Sequence, residues 1–289
     1  MKNDDQKTSR RSEIKPFIIF AYGILLAYGF WLYNSVKGDD FNRWIDTQHK
    51  QQIQCPVQTQ STGVLLIIGQ SNAANHAERK YTTQFPERVV NYFQGKCYVA
   101  ASPLLGSTGD QGEFITPLAD ELIKNGTFQN IVILSSAIGG TAISRWQEGG
   151  DLNRMLMSNI KDLQNKYQIT DIFWHQGEED FFKETSQKDY VQSFESLMGS
   201  LQKAGVKAKV FIAVSTKCSI NPSWKQDNPI SLAQQSLVDN QQIFLGINSD
   251  AELEKLDRRV EDECHFSASG QEKAIAAYTQ AIQLAHQVK

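Results

Sequence analysis

The chain has 289 residues, with 29 Lys plus Arg against 32 Asp plus Glu and a formal net charge of −3. It is 40% hydrophobic and 21% charged, a globular composition that excludes disorder, collagen-like repeats and coiled coil as the main plan. The near-neutral balance argues against nucleic acid, which needs a basic surface, and a mean hydropathy of −0.40 excludes a protein of many membrane spans.

One membrane segment is visible all the same. No residue of 16–36 (PFIIFAYGILLAYGFWLYNSV) is charged. A bilayer-crossing helix needs about 20 such residues. Lys2, Lys7, Arg10, Arg11 and Lys15 precede it, so residues 1–15 read as a cytoplasmic basic tail and the rest as translocated. Trp31 and Tyr33 stand at its far end, as an aromatic belt would. A cleaved signal peptide is the competing reading. It calls for a shorter apolar core and a small-x-small site, and neither is present. The expectation is therefore a single-pass anchor with the remaining domain on the periplasmic or extracytoplasmic side. All four cysteines, Cys55, Cys97, Cys218 and Cys264, would then meet an oxidising compartment. None has CxxC spacing, so a zinc site is not expected.

The polar stretch 37–60 reads as a stalk, and a domain follows over 61–289. Its apolar runs alternate with helical patterns. Strands are expected at 64–68, 131–134, 169–174, 210–214 and 243–247. Helices are expected at 115–124, 152–167, 190–204, 230–238 and 270–287. Ser269 and Glu272 have capping-box spacing at the start of the last helix. Such alternation implies βαβ units and a parallel sheet with helices on both faces. Ligands then bind beyond the carboxyl ends of the strands. Gln70-Ser71-Asn72, Gly139-Gly140-Thr141 and His175-Gln176-Gly177-Glu178 directly follow strands, so the fold pattern gathers them on one rim.

The chemistry needs a base, a nucleophile and oxyanion donors. Of five histidines, His49 lies in the stalk, His286 near the chain end and His76 in an irregular polar loop. His265 follows the last strand, and Asp262 stands three residues before it, an offset from which a carboxylate can hold the imidazole tautomer. Ser71 follows the first apolar strand through a tight turn, where a hydroxyl is presented on the rim; a helix-capping serine is the plainer reading. Gly139 and Gly140 allow close backbone approach, and Gln176 carries a side-chain amide.

In order, Gly-Gln-Ser-Asn at 69–72, Gly-Gly-Thr at 139–141 with Trp146, Trp-His-Gln-Gly-Glu-Glu-Asp at 174–180 and Asp-x-x-His-Phe-Ser at 262–267 form one pattern. In it the sequence resembles the SGNH hydrolases, and within them the sialate O-acetylesterase and acetylxylan esterase group, carbohydrate esterase family six. The resemblance spans about residues 61–287. It implies a three-layer α/β/α, flavodoxin-like fold and removal of O-acetyl groups from an acetylated glycan, with no cofactor or metal. It implies Ser71 as nucleophile, His265 as base and Asp262 orienting it. Ser71 N–H, Gly140 N–H and the Gln176 amide would form the oxyanion hole. Glu178 and Asp180 match the family's acidic pair, and Glu178 is the alternative to Asp262 as orienting group. Asn72, Arg145 and Trp146 are candidates for lining or supporting the sugar pocket. Two rival functions remain at this point: a catalytically silent glycan-binding module, and hydrolysis of other acyl esters. Cys218 follows a strand and Cys264 adjoins His265, so both should reach the same rim and pair, leaving Cys55 with Cys97.

Overall fold

The apolar run that opens the domain divides its side chains between two faces. Val64, Leu66 and Ile68 enter one core cluster and Leu65 and Ile67 another, all of them fully buried. A strand buried on both faces requires a helical layer on each side. The computed structural model, which describes residues 45–218 and 223–287, has that arrangement. The expected basic tail 1–15 and membrane helix 16–36 lie outside the described residues. Among the described residues, no helix is long and apolar enough to cross a membrane.

Eight strands form one sheet: β1 (Gln52–Ile53), β2 (Thr62–Gly69), β3 (Val89–Phe93), β4 (Lys96–Val99), β5 (Asn130–Ser135), β6 (Asp171–His175), β7 (Lys209–Val214) and β8 (Ile243–Asn248). Their order across the sheet is β1-β4-β3-β5-β2-β6-β7-β8. From β3 to β8 all neighbours run parallel. At the other edge β4 is antiparallel to both β3 and β1, so the sheet is mixed, not wholly parallel as expected. The cause is a two-residue hairpin. Gln94 and Gly95 both take positive φ, 47° and 78°, which turns the chain straight back.

The helices are α1 (Ile115–Lys124), α2 (Asp151–Leu163), α3 (Glu178–Phe182), α4 (Gln187–Lys203), α5 (Pro229–Ser236), α6 (Ser249–Glu252) and α7 (Ala268–Gln287). Leu156 of α2, Phe194 of α4 and Ala233 of α5 pack with Val64, Leu66 and Ile68 on one face. Leu118 of α1 and Tyr278 of α7 pack with Leu65 and Ile67 on the other. The last helix starts one turn position earlier than the expected capping box. Ser267, not Ser269, accepts the Gly270 N–H, while Ser269 Oγ bonds Leu256 O and Asp257.

The stretch expected as a stalk is, from residue 45 on, fastened to the domain. Gln52–Ile53 pairs with β4, Cys55 is bonded to Cys97, and Gln58 exchanges two hydrogen bonds with the Gln168 backbone. Ile45 packs against Phe93, Tyr98 and Leu105. Sparse apolar residues and one cysteine are enough to bind this polar segment to the sheet edge.

β2 lies between β5 and β6, so the chain leaves for one side of the sheet and then for the other. This is the topological switch point, where a crevice opens beyond the strand ends. Ser71 stands there. On the far side of the sheet, Gly246 of β8 meets α7 with no room to spare. A Cβ at this position would lie 2.1 Å from Cε1 of Tyr278. That ring is fully buried and stacked on Phe114 at 5.2 Å, so it cannot move aside. Gly246→Ala should therefore destabilise the domain by about 1–3 kcal/mol, seen as a lower urea midpoint at unchanged slope.

Candidate active site

Ser71 opens a short 3-10 helix, Ser71–Ala73, at the end of β2. The turn is fixed on both sides, since Gln70 N–H donates to His175 O at 3.0 Å and Ala74 N–H to Ser71 O at 3.0 Å. Gly69, at φ 130°, passes so close to β6 that a Cβ would lie 2.1 Å from His175 O. This glycine lets the serine turn sit directly against the next strand.

His265 lies in the turn before α7. Its Nδ1 is 2.9 Å from Asp262 Oδ2, and its own N–H and that of Cys264 donate to Asp262 Oδ1, both at 2.9 Å. Burial pushes the Asp262 carboxyl up, but these hydrogen bonds outweigh it and hold it below the usual range. With Nδ1–H donated to a carboxylate, Nε2 is the basic nitrogen. Among the described residues, neither His265 Nε2 nor Ser71 Oγ has a hydrogen-bond partner.

The serine and histidine turns are joined directly. Asn72 Nδ2 donates to Cys264 O at 3.4 Å, Glu78 N–H to Phe266 O at 2.9 Å, and Arg259 Nη1 to His76 O at 2.9 Å. Cys264 is also bonded to Cys218, with Cα atoms 4.3 Å apart, and Cys55 to Cys97, at 5.1 Å. Both expected pairings are present. The bond at Cys264 anchors the catalytic turn to the chain beyond β7.

Glu178 does not touch His265. It is buried at the start of α3, where Oε1 accepts from Asn72 Nδ2 at 2.8 Å and from Ser215 Oγ at 2.9 Å. Ser215 Oγ is in turn 3.1 Å from His175 Nε2, and His175 Nδ1 is 3.3 Å from Tyr278 OH. Since Ser215 gives its proton to Glu178, His175 must donate through Nε2 and accept from Tyr278. His175 is fully buried, and burial pushes its imidazole down to about 3, so it is neutral. Glu178 thus holds Asn72 beside Ser71, and of the two carboxylates it is Asp262 that bonds the His265 ring.

The oxyanion donors divide. Gly139 N–H is taken by Thr108 Oγ1 at 2.7 Å. Gly140, at φ 64°, has an N–H with no acceptor among the described residues, as does Ser71. Gln176 departs from expectation. It is fully buried, and its amide nitrogen donates to Asp180 Oδ2, to Thr141 O at 3.0 Å and to Gln70 Oε1 at 3.3 Å. A buried carboxylate outcompetes other acceptors, so in this conformation no side-chain N–H is left for an oxyanion. Asp180 also accepts from Ile143 N–H at 2.7 Å and Thr185 Oγ1 at 2.8 Å, which ties the glycine loop to α3.

Of two expected pocket residues, one is core and the other is held by a carboxylate. Trp146 is fully buried, edge-on to Trp174, with Nε1 donating to Thr141 Oγ1 at 3.1 Å. It is core, because its large apolar ring finds more contact between α2 and the sheet than at a wet rim. Arg145 turns back on Asp151 through Nε–Oδ1 at 3.0 Å and Nη2–Oδ2 at 2.6 Å.

Residues 61–283 match the family described as carbohydrate esterase, sialic acid-specific acetylesterase. The chain belongs to that family. It is a carbohydrate O-acetylesterase. Three solved structures share the fold of this esterase. A protein from Arabidopsis thaliana is 16% identical, covering 77% of this chain and 98% of its own, with a TM-score of 0.60. NanS is 16% identical, covering 81% and 100%, at 0.55. A carbohydrate acetylesterase from Xanthomonas citri is 15% identical, covering 78% and 56%, at 0.51. No curated protein sequence matches the chain.

Sequence reasoning missed Arg258, since the basic pair Arg258-Arg259 reads as a solvated turn. The esterase buries it. Nη1 donates to Cys264 O at 2.8 Å and Nη2 to Ser249 O at 3.1 Å. Desolvation pushes the guanidinium down, and Glu178, Asp250, Asp257 and Asp262 oppose that. Removing one partner of such a buried set leaves uncompensated charge, at about 3–5 kcal/mol. Arg258→Met should lower unfolding stability by that order in a denaturant titration.

Proposed function

We propose that this esterase deacetylates O-acetylated sialic acid or an O-acetylated polysaccharide by a two-step acyl-enzyme mechanism. The observation that carries the reading is the Asp262–His265 pair at 2.9 Å, in a turn bonded to the turn that bears Ser71. Ser71 Oγ attacks the acetyl carbonyl while His265 Nε2 takes its proton. Asp262 stabilises the resulting imidazolium. The tetrahedral oxyanion receives the N–H groups of Ser71 and Gly140. The bond from carbonyl carbon to sugar oxygen breaks, and His265 returns the proton to that oxygen. Water, deprotonated by His265, then cleaves the acetyl-enzyme to acetate and free Ser71.

Ser71→Ala should retain its fold and lose activity by several orders of magnitude, because no acyl-enzyme can form. Asp262→Asn should lower kcat by up to about 10⁴, through the wrong His265 tautomer. Glu178→Gln should cost less, since Glu178 acts one residue removed, through Asn72. The measurement is p-nitrophenyl acetate hydrolysis against longer acyl esters, followed by acetate release from a panel of acetylated glycans. Turnover of Ser71→Ala near the wild-type level would remove the mechanism.

We also propose that residues 16–36 anchor the enzyme, with the catalytic domain outside the cytoplasm. The uncharged run, its basic flank and two disulfides support this. The full-length protein should stay with membranes after a carbonate wash. A mature N-terminus near residue 37 would show a cleaved signal instead.

A further inference from the structure

The acyl-transfer reading leaves His76 without a role, yet the fold places its ring against the base. The two imidazoles stack, with centroids 5.2 Å apart and planes 21° from parallel. The His76 backbone is clamped on both sides. Asn75 N–H donates to Thr108 O at 2.9 Å, Ala77 N–H to Gly112 O at 2.9 Å, and Arg259 Nη1 to His76 O at 2.9 Å. The ring also abuts Gly109, where a Cβ would lie 2.9 Å from His76 Cδ2. It therefore sits in a fixed slot.

Asp262 alone does not fix the base. A single bond at Nδ1 restrains the ring about χ2, a soft torsion for histidine, but leaves it some play. Nε2 must nonetheless face Ser71 Oγ, and a misplacement of about 1 Å can cost 10²-fold in rate. A flat neighbour on the ring face removes that freedom. The other end of His76 reaches the glycine turn: Nε2 is 3.4 Å from Thr108 Oγ1, the atom that accepts Gly139 N–H at 2.7 Å. The Thr108 hydroxyl thus bonds both, with the direction of its bond to His76 set by the imidazole tautomer.

Resting on that acyl-transfer reading, we propose that His76 is a positioning residue. Its ring is the platform that sets the plane of His265 and, through Thr108, keeps that plane in register with the Gly139–Gly140 turn.

The charge state of His76 suits this task. Burial pushes its imidazole down to about 4, with His265 and Arg259 adding to the effect and Asp110 and Asp262 opposing it. His76 is thus neutral when His265 takes up the serine proton and adds no positive charge to that of Arg259, whose Nε already lies 3.5 Å from Asp262 Oδ2.

The test compares His76→Ala, His76→Leu and His76→Phe on p-nitrophenyl acetate, with thermal midpoints measured alongside. Ala removes the platform, Leu fills its space without a flat face, and Phe restores the face without nitrogens. Ala and Leu should lower kcat by about 10–100-fold with KM within twofold, within the range expected for misorientation. Phe should recover kcat to within about threefold of wild type, the remaining loss being the Thr108 link. The proposal is overturned if Ala and Leu keep wild-type kcat, if the loss lies in KM, or if Phe is no better than Leu. Should Ala fail to fold, the Leu and Phe pair decides alone. Ser71→Ala, run in parallel, reports separately on the acyl-transfer reading: if that variant stays active, the underlying mechanism fails whatever His76 does.

Discussion

A carboxylate taken out of water must be paired or hydrogen-bonded, and the site is organised around that constraint. Glu178 is buried at the switch point, with its Oε2 unpartnered among the described residues. Burial pushes its carboxyl upward, and the donors Asn72 and Ser215 pull it back. Arg258 supplies the opposite charge from the histidine turn. The Cys264 carbonyl accepts from both Asn72 and Arg258, so the serine side and the histidine side meet at one oxygen. Ser71 and His265 are thereby placed relative to each other through neighbours, while Ser71 Oγ and His265 Nε2 have no hydrogen-bond partner among the described residues.

A second set of buried hydrogen bonds serves the oxyanion side. Asp180 draws in the Gln176 amide, the Ile143 N–H and the Thr185 hydroxyl. These bonds hold the loop after β5 against the loop after β6. The Gly140 N–H has no acceptor among the described residues, while Thr108 satisfies that of its neighbour Gly139. Rigid support of this kind lets donors stabilise developing charge without reorganising during reaction.

Much of this was legible in the sequence. The central strands are short apolar runs, and the structure moves each expected boundary by no more than two residues. Asp262 and His265 were legible because a turn brings residues three apart together. Ser71 was legible because it directly follows a buried strand. What could not be read depends on which partner a segment or side chain finds in the folded chain. The strands of the β3–β4 hairpin are short and interrupted by Asn91 and Lys96, and their local mark is the Gln94-Gly95 turn. Trp146 and Arg145 look like rim residues by position, but the first is claimed by the core and the second by Asp151. Gln176 carries the right functional group, and only the buried Asp180 carboxylate four residues on decides where it points. Arg258 has no local signature, since only burial in the folded turn brings it to Ser249 and Cys264, and His76 has none because the ring it stacks on, that of His265, is far away in the chain.

The turn bearing Asp262 and His265 runs straight into α7, and the residues it meets were made long before it. Asn72 and Cys264 are 192 positions apart. On a ribosome adding about 5–20 residues per second, Ser71 and Gly140 emerge many seconds ahead of His265. For that interval the chain carries a serine with nothing to take its proton. Under the proposed mechanism, esterase activity therefore waits for the last turn and helix of the chain, which carry the imidazole.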